Sequence, residues 1–310
     1  MRTWYQRGNQ RRFHRVDMPI NIMILPKERP FGQPIFHWGI DYFPPSIEVQ
    51  IRSSRRLLTI QVDRIQEHKV FLQALFQECV QQIEFLGELI RLIAKGENPL
   101  CLPQNLKRFQ QYHQGFSLIE TIKSPAPRTY DWFKKIEEKN VYLFSAIKYM
   151  LQHSSATKIQ SLPSSEFLID QAIIPYTKGK YKEVPLAQSL VHLVHFQSLH
   201  FQAWQEMIRD LQWQTTPQKW SEHMVNVSTG GIAVNLPKRY PKLAHVYTKL
   251  YFPRIGVLAF EGSVVMQKSI PTEGKERIAV NFDFPTQEQQ IALRTQMELF
   301  ELQKAVEVFG

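Results

Sequence analysis

The sequence predicts an α+β fold: a small β-rich unit, sandwich or barrel, split by a long helical insertion and closed by a C-terminal helix. Three observations carry this. Val16, Met18, Ile20, Ile22 and Ile24 alternate with Asp17, Pro19, Asn21 and Met23, the period of a half-buried strand. Residues 222–284 hold short apolar runs divided by Pro253, Gly256, Gly262, Pro271 and Gly274, as sandwiches and barrels do. Between these two regions the apolar residues recur mostly at helical spacing.

Composition sets the outer bounds. A chain of 310 residues can bury one large core or two or three smaller ones. With 43% hydrophobic and 21% charged residues it should be globular rather than disordered. A formal net charge of +10 favours an anionic partner: a nucleotide, a nucleic acid or an anionic membrane surface. Cys79 and Cys101 are too few for a disulfide framework. The arginine-rich start is followed by no apolar core of a signal peptide, and no apolar run is long enough to span a bilayer. A cytoplasmic location, without a transmembrane segment, is the expectation.

Residues 1–15 carry Arg2, Arg7, Arg11, Arg12 and Arg15 and no acidic residue, so they form a basic arm. A guanidinium fork can bond phosphate or guanine O6 and N7 bidentately, and its face can stack on a base. Arg11 and Arg15 have the spacing RxxxR and directly precede the strand, which selects them over the Arg7–Arg11 pair. The strand runs from Val16 to Leu25, and Pro19 suggests an edge position or a strand start. Pro26, Pro30, Pro34, Pro44 and Pro45 then suppress regular structure, so residues 28–53 are expected to form a Pro-rich linker.

Residues 54–95 carry a heptad seam: Leu58, Val62, Ile65, Lys69, Leu72, Phe76, Cys79, Ile83, Leu86, Ile90 and Ile93. Steps of four and three keep these side chains on one line of a supercoiled helix. A continuous helix would be about 60 Å long, ended by Gly96, Asn98 and Pro99. Leu75 and Leu89 widen the apolar face. Such a face is buried against copies of itself, as a coiled coil, or against helices of its own chain. Further helices are expected near 104–113, over 130–153 and over 186–213, so residues 54–219 form an inserted helical region. His192 and His195 stand three apart and could share a metal ion. With no HExxH motif, and with both cysteines distant in sequence, they and His200 are expected at the rim of a bundle instead.

Residues 220–310 return to the β-rich unit. Asn226-Val227-Ser228-Thr229-Gly230-Gly231 is expected to be a turn. Gly230 and Gly231 permit positive φ and a close approach to the backbone, while Asn226 and Ser228 offer short polar side chains. Strands follow over 232–236, 244–252, 256–260, 263–270 and 277–284, and a helix with Ile291, Leu293, Met297, Phe300, Leu302 and Val306 closes the chain. With the N-terminal strand this makes about six.

Arg11 and Arg15 as RxxxR, followed by Asn226, Ser228 and Gly231 as NxSxxG, each motif attached to a strand, resemble the PilZ family. The resemblance covers roughly residues 5–27 and 220–308. It implies a six-stranded β-barrel with a C-terminal helix, here split by an inserted α-helical bundle or coiled coil. It also implies binding of the bacterial second messenger cyclic di-GMP. Arg11 and Arg15 would grip phosphate and the guanine Hoogsteen edge, and Arg12 would stack or neutralise charge. Asn226 would meet the opposite polar edge of a guanine, Ser228 would hydrogen-bond the ligand, and Gly230 and Gly231 would admit it to the backbone. The family's more usual residue at the position of Asn226 is Asp. Some PilZ-like proteins carry a heptad-bearing helix after the first strand that drives tetramer formation, which implies a homo-oligomer through 54–95.

No GxSxG, HExxH, phosphate-loop or GxGxxG motif is present, nor GGDEF or EAL, so a non-catalytic receptor with no cofactor is expected. A downstream protein partner would fit a receptor of this kind. The alternative is a nucleotide-free PilZ-like scaffold that assembles partners through its coiled coil. A nucleic-acid binder is disfavoured, because the densest charge lies in the arm and no RNA or DNA motif accompanies it.

Overall fold

The computed structural model describes residues 13–309 apart from Phe31, Ser164 and Glu166. Six strands, β1 (Val16–Pro26), β2 (Glu222–Ser228), β3 (Gly231–Leu236), β4 (His245–Phe252), β5 (Gly256–Ile270) and β6 (Lys275–Phe282), close into a barrel in the order β1-β2-β3-β6-β5-β4. Every neighbouring pair is antiparallel. The alternation in β1 does what its period requires: Val16, Met18, Ile20, Ile22 and Ile24 all point into the core. Val225, Val227, Ile232, Val234, Leu250, Phe260, Ile278 and Val280 meet them there.

β1 closes the barrel by serving two partners. Its first half pairs with β2, from Val16↔Val227 to Asn21↔Glu222, and its second half with β4, from Asn21↔Tyr251 to Pro26↔Val246. Pro19, expected at an edge, therefore sits in a strand of a closed sheet. The Ile22 amide donates to the Ser221 carbonyl. Alternate pairs in this ladder are hydrogen-bonded, so Pro19 occupies a non-hydrogen-bonded position opposite Met224. Its nitrogen faces the side on which β4 has not yet begun to pair.

The expected and observed strands number the same for compensating reasons. The stretch around Asn226, expected as a turn, lies within β2, and the turn shrinks to Thr229-Gly230. The two expected strands 256–260 and 263–270 are one 15-residue strand, β5, with an irregularity between Val264 and Met266. Gly262 is not a separator. A Cβ there would lie 2.4 Å from the Asn281 carbonyl oxygen, so glycine permits two strands to pass closely.

The insertion contains α1 (Pro45–Asp63), α2 (Lys69–Ala94), α3 (Pro103–Tyr112), α4 (Pro127–His153), the single turn α5 (Ile169–Ala172) and α6 (Pro185–Gln212). Proline is the first residue of α1, α3, α4 and α6, where its missing N–H costs nothing. The heptad stretch is not one helix. It breaks at 64–68, where His68 takes φ +51 and caps the start of α2. The seam position that Lys69 interrupts is the first residue after the break. α2 then folds back along α1: Arg91 meets Glu48 at 2.5 Å, Arg55 meets Glu84 at 2.5 Å, and Lys69 reaches the Asp63 carbonyl.

Leu58, Val62, Ile65, Leu72, Phe76, Cys79, Ile83, Leu86, Ile90 and Ile93 are all buried within the single chain. The seam is thus spent on an intrachain bundle, in which α1 and α2 both pack on α6, and not on a coiled coil between copies.

Residues 28–53, expected as a Pro-rich linker, include the start of α1 at Pro45 and contribute to the core. Ile35, Ile40, Tyr42, Phe43, Ile47 and Ile51 join one apolar core that is continuous from the helices into the barrel. A buried polar joint fastens the two parts. Lys238, just after β3, places its ammonium 2.7 and 2.8 Å from the carboxylate oxygens of Asp210 on α6, and Tyr42 donates to the same carboxylate at 3.0 Å. Burial pushes the Asp210 carboxyl up, against the pull of Lys238. α7 (Gln287–Phe309) lies on the barrel through Leu293 and Met297. Among the described residues no helix is long and apolar enough to cross a membrane.

Candidate functional site

The turn between β2 and β3 is set by packing. Gly231 must be glycine, because a Cβ would fall 2.3 Å from the Val280 carbonyl oxygen across the β3–β6 pair. Ser228 pairs with Gly231, and its hydroxyl donates to the Gly231 carbonyl at 3.0 Å. Only 1% of Ser228 is exposed, so this hydroxyl is turned inward to lock the turn. Gly230 does not take a positive φ. It serves by leaving room: a Cβ would come within 2.8 Å of the Phe13 ring.

Three consecutive residues, Phe13, His14 and Arg15, make contacts at and beside this turn. Phe13 lies over Gly230. His14 Nε2 meets Glu301 of α7 at 2.9 Å. Arg15 Nη1 donates to Asn226 Oδ1 at 3.0 Å, joining residues 211 apart in the sequence. Asn226 in turn donates from Nδ2 to Asp17 Oδ1 at 2.7 Å. The orientation of this amide follows from its partners. A guanidinium only donates and a carboxylate only accepts, so Oδ1 faces Arg15 and Nδ2 faces Asp17.

Of the expected site residues, the fold gathers Arg15, Asn226, Ser228, Gly230 and Gly231 at one edge of the barrel. Arg11 and Arg12 lie outside the described residues. Sequence reasoning missed Asp17, Phe13, His14 and Glu301. Asp17 was legible as an outward-facing residue of β1, but only the strand register shows that it stands opposite Asn226.

Residues 207–299 match the sequence model of the PilZ domain. The chain carries a PilZ domain. The match takes in the end of α6, strands β2 to β6 and the first part of α7. The PilZ barrel is completed by β1, from the other side of the helical insertion. At the level of the family, PilZ domains are cyclic di-GMP receptors. No curated protein and no solved structure matched the chain.

The helical insertion holds no comparable constellation among the described residues, and no group of three or more His, Cys, Asp and Glu side chains there could hold a metal ion. His195 Nδ1 pairs with the Ser54 hydroxyl at 2.7 Å. His200, expected at a bundle rim, is in the core instead, with Nδ1 2.8 Å from the Phe196 carbonyl and its ring beside Phe43 and Phe196. Burial lowers its pKa to about 4.

Proposed function

We propose that this protein is a cytoplasmic, non-catalytic receptor for cyclic di-GMP, which it binds through Arg11, Arg12, Arg15, Asn226, Ser228, Gly230 and Gly231. The observation that carries the reading is the 3.0 Å bond between Arg15 and Asn226 within a PilZ barrel. The last residue of RxxxR and the first of NxSxxG meet despite the insertion between them. Arg15 offers a donor fork for phosphate or for guanine O6 and N7, and the close-packed turn at Gly231 keeps side chains away from the ligand. Ser228 contributes by fixing the turn.

The messenger is doubly anionic, so the net charge of +10 favours its approach. Ligand that draws on Arg15 also acts on an arm tied to α7 through His14 and Glu301. That contact would differ between free and bound states and gives binding a route to a downstream partner. The scaffold alternative loses its working surface, because the heptad seam that was to assemble partners is buried inside the chain.

Calorimetric titration of the full chain with cyclic di-GMP tests the reading, with unrelated RNA as control and an Arg11→Ala/Arg15→Ala variant in parallel. Saturable binding by the parent and its loss in the folded variant are expected. Absence of heat and of a thermal shift at high ligand overturns the receptor reading.

A further inference from the structure

We infer that Asp17 is the acidic acceptor of the ligand site and selects guanine over adenine. This rests on the receptor reading above. Asn226 is a neutral amide whose single oxygen already accepts from Arg15 at 3.0 Å. Guanine presents two donors, N1–H and the N2 amine, beside the acceptors O6 and N7. A carboxylate takes the first pair and a guanidinium fork takes the second.

Arg15, Asn226 and Asp17 supply both partners in one row on the outside of the barrel. Arg15 is bonded to Asn226 at 3.0 Å, and Asn226 to Asp17 at 2.7 Å. Asp17 is exposed, and among the described residues no cation pairs with it. Asp17 and Asn226 are also direct partners in the β1–β2 ladder. They occupy a non-hydrogen-bonded pair, the kind whose side chains approach most closely.

The same geometry accounts for the asparagine. An aspartate at 226 would set two carboxylates against each other where an amide now donates to one, and like charges so placed cannot both stay ionised at little cost. With an amide at 226, Nδ2 donates to Asp17 and Oδ1 accepts from Arg15, so the amide links the carboxylate to the guanidinium. Adenine offers an acceptor at N1 and a donor at N6, the reverse of what this row accommodates.

The test is calorimetric titration of the full chain and three variants with cyclic di-GMP and with cyclic di-AMP. Asp17→Asn keeps an oxygen that can accept from Asn226, so a role confined to holding Asn226 predicts little change. The inference predicts roughly a tenfold or greater loss of cyclic di-GMP affinity and a collapse of the preference over cyclic di-AMP. Asn226→Asp alone is expected to weaken binding, and Asp17→Asn/Asn226→Asp to restore it to within about threefold of the parent. Tighter binding by Asn226→Asp, or unchanged affinity and base preference in Asp17→Asn, overturns this inference while the receptor reading stands. A parent chain that binds neither nucleotide overturns both.

Discussion

Arg15 and Asn226 are separated by 211 positions and joined by a 3.0 Å hydrogen bond on the outer face of the barrel. The bond is exposed, and exposed polar pairs contribute little to stability, about 0–1 kcal/mol. On the proposed receptor reading, its role is in binding. Arg15→Lys keeps the charge but loses the planar fork. We expect cyclic di-GMP affinity to fall at least about tenfold, with a thermal unfolding midpoint close to that of the parent. Calorimetry beside a melting curve checks both halves of this statement.

Gly231 presents the opposite case. Gly231→Ala drives a methyl group into the Val280 carbonyl, 2.3 Å from the ideal Cβ position. Either β3 or β6 must move, at a cost of roughly 1–3 kcal/mol by analogy with overpacked cores. Denaturant titration should show a lower midpoint with an unchanged slope, and ligand binding should weaken with it.

The buried heptad seam makes a prediction about assembly. Ile83 is 0% exposed in the intrachain bundle. Ile83→Ala should cost about 2–5 kcal/mol, as deletion of buried aliphatic side chains does. It should leave the molar mass measured by light scattering unchanged. A seam shared between copies would instead shift the mass.

The joint between insertion and barrel depends on one lysine. Lys238 and Asp210 are 5% and 1% exposed in their side chains, and Glu206 lies beside them. Lys238→Met leaves the Asp210 carboxylate buried with only Tyr42 as donor. Removing one partner of a buried pair typically costs about 3–5 kcal/mol. Chemical unfolding of this variant should show that loss, and protease should cut first between α6 and the barrel.

Acid should destabilise the helical core through His200. Burial lowers its pKa to about 4, against 6.5 for the unperturbed ring. Between these values the unfolded chain binds the proton and the folded chain does not, so stability rises with pH. The contribution is complete above about 6.5 and is lost as pH falls toward 4, on the order of 1.4 kcal/mol per pH unit. His223 is lowered to about 4 by burial as well and adds in the same direction. His200→Gln should flatten the slope of unfolding free energy against pH in this window by about one proton.

The sequence by itself determined what local pattern can determine. Period-two alternation placed β1, and helical spacing placed α4 and α6 to within a few residues. The two motifs at opposite ends of the chain pointed to one barrel. The rest was decided by tertiary structure. Nothing in the stretch 64–68, which has neither glycine nor proline, marks the reversal between α1 and α2. A heptad seam reports only that a face must be buried, and the facing surface came from α6 of the same chain. Prolines that read as breakers proved to be helix starts, because the tolerance for proline depends on which side of it the helix lies. The burial of Ser228 and the bond from its hydroxyl to the Gly231 carbonyl are set by the strands around it.

Asp17 shows the division most directly. Alternation put it on the outer face of β1, but pairing register is a property of two strands, and those strands are separated by the whole insertion. Only closure of the barrel sets Asp17 against Asn226 and puts a carboxylate, an amide and a guanidinium in one row.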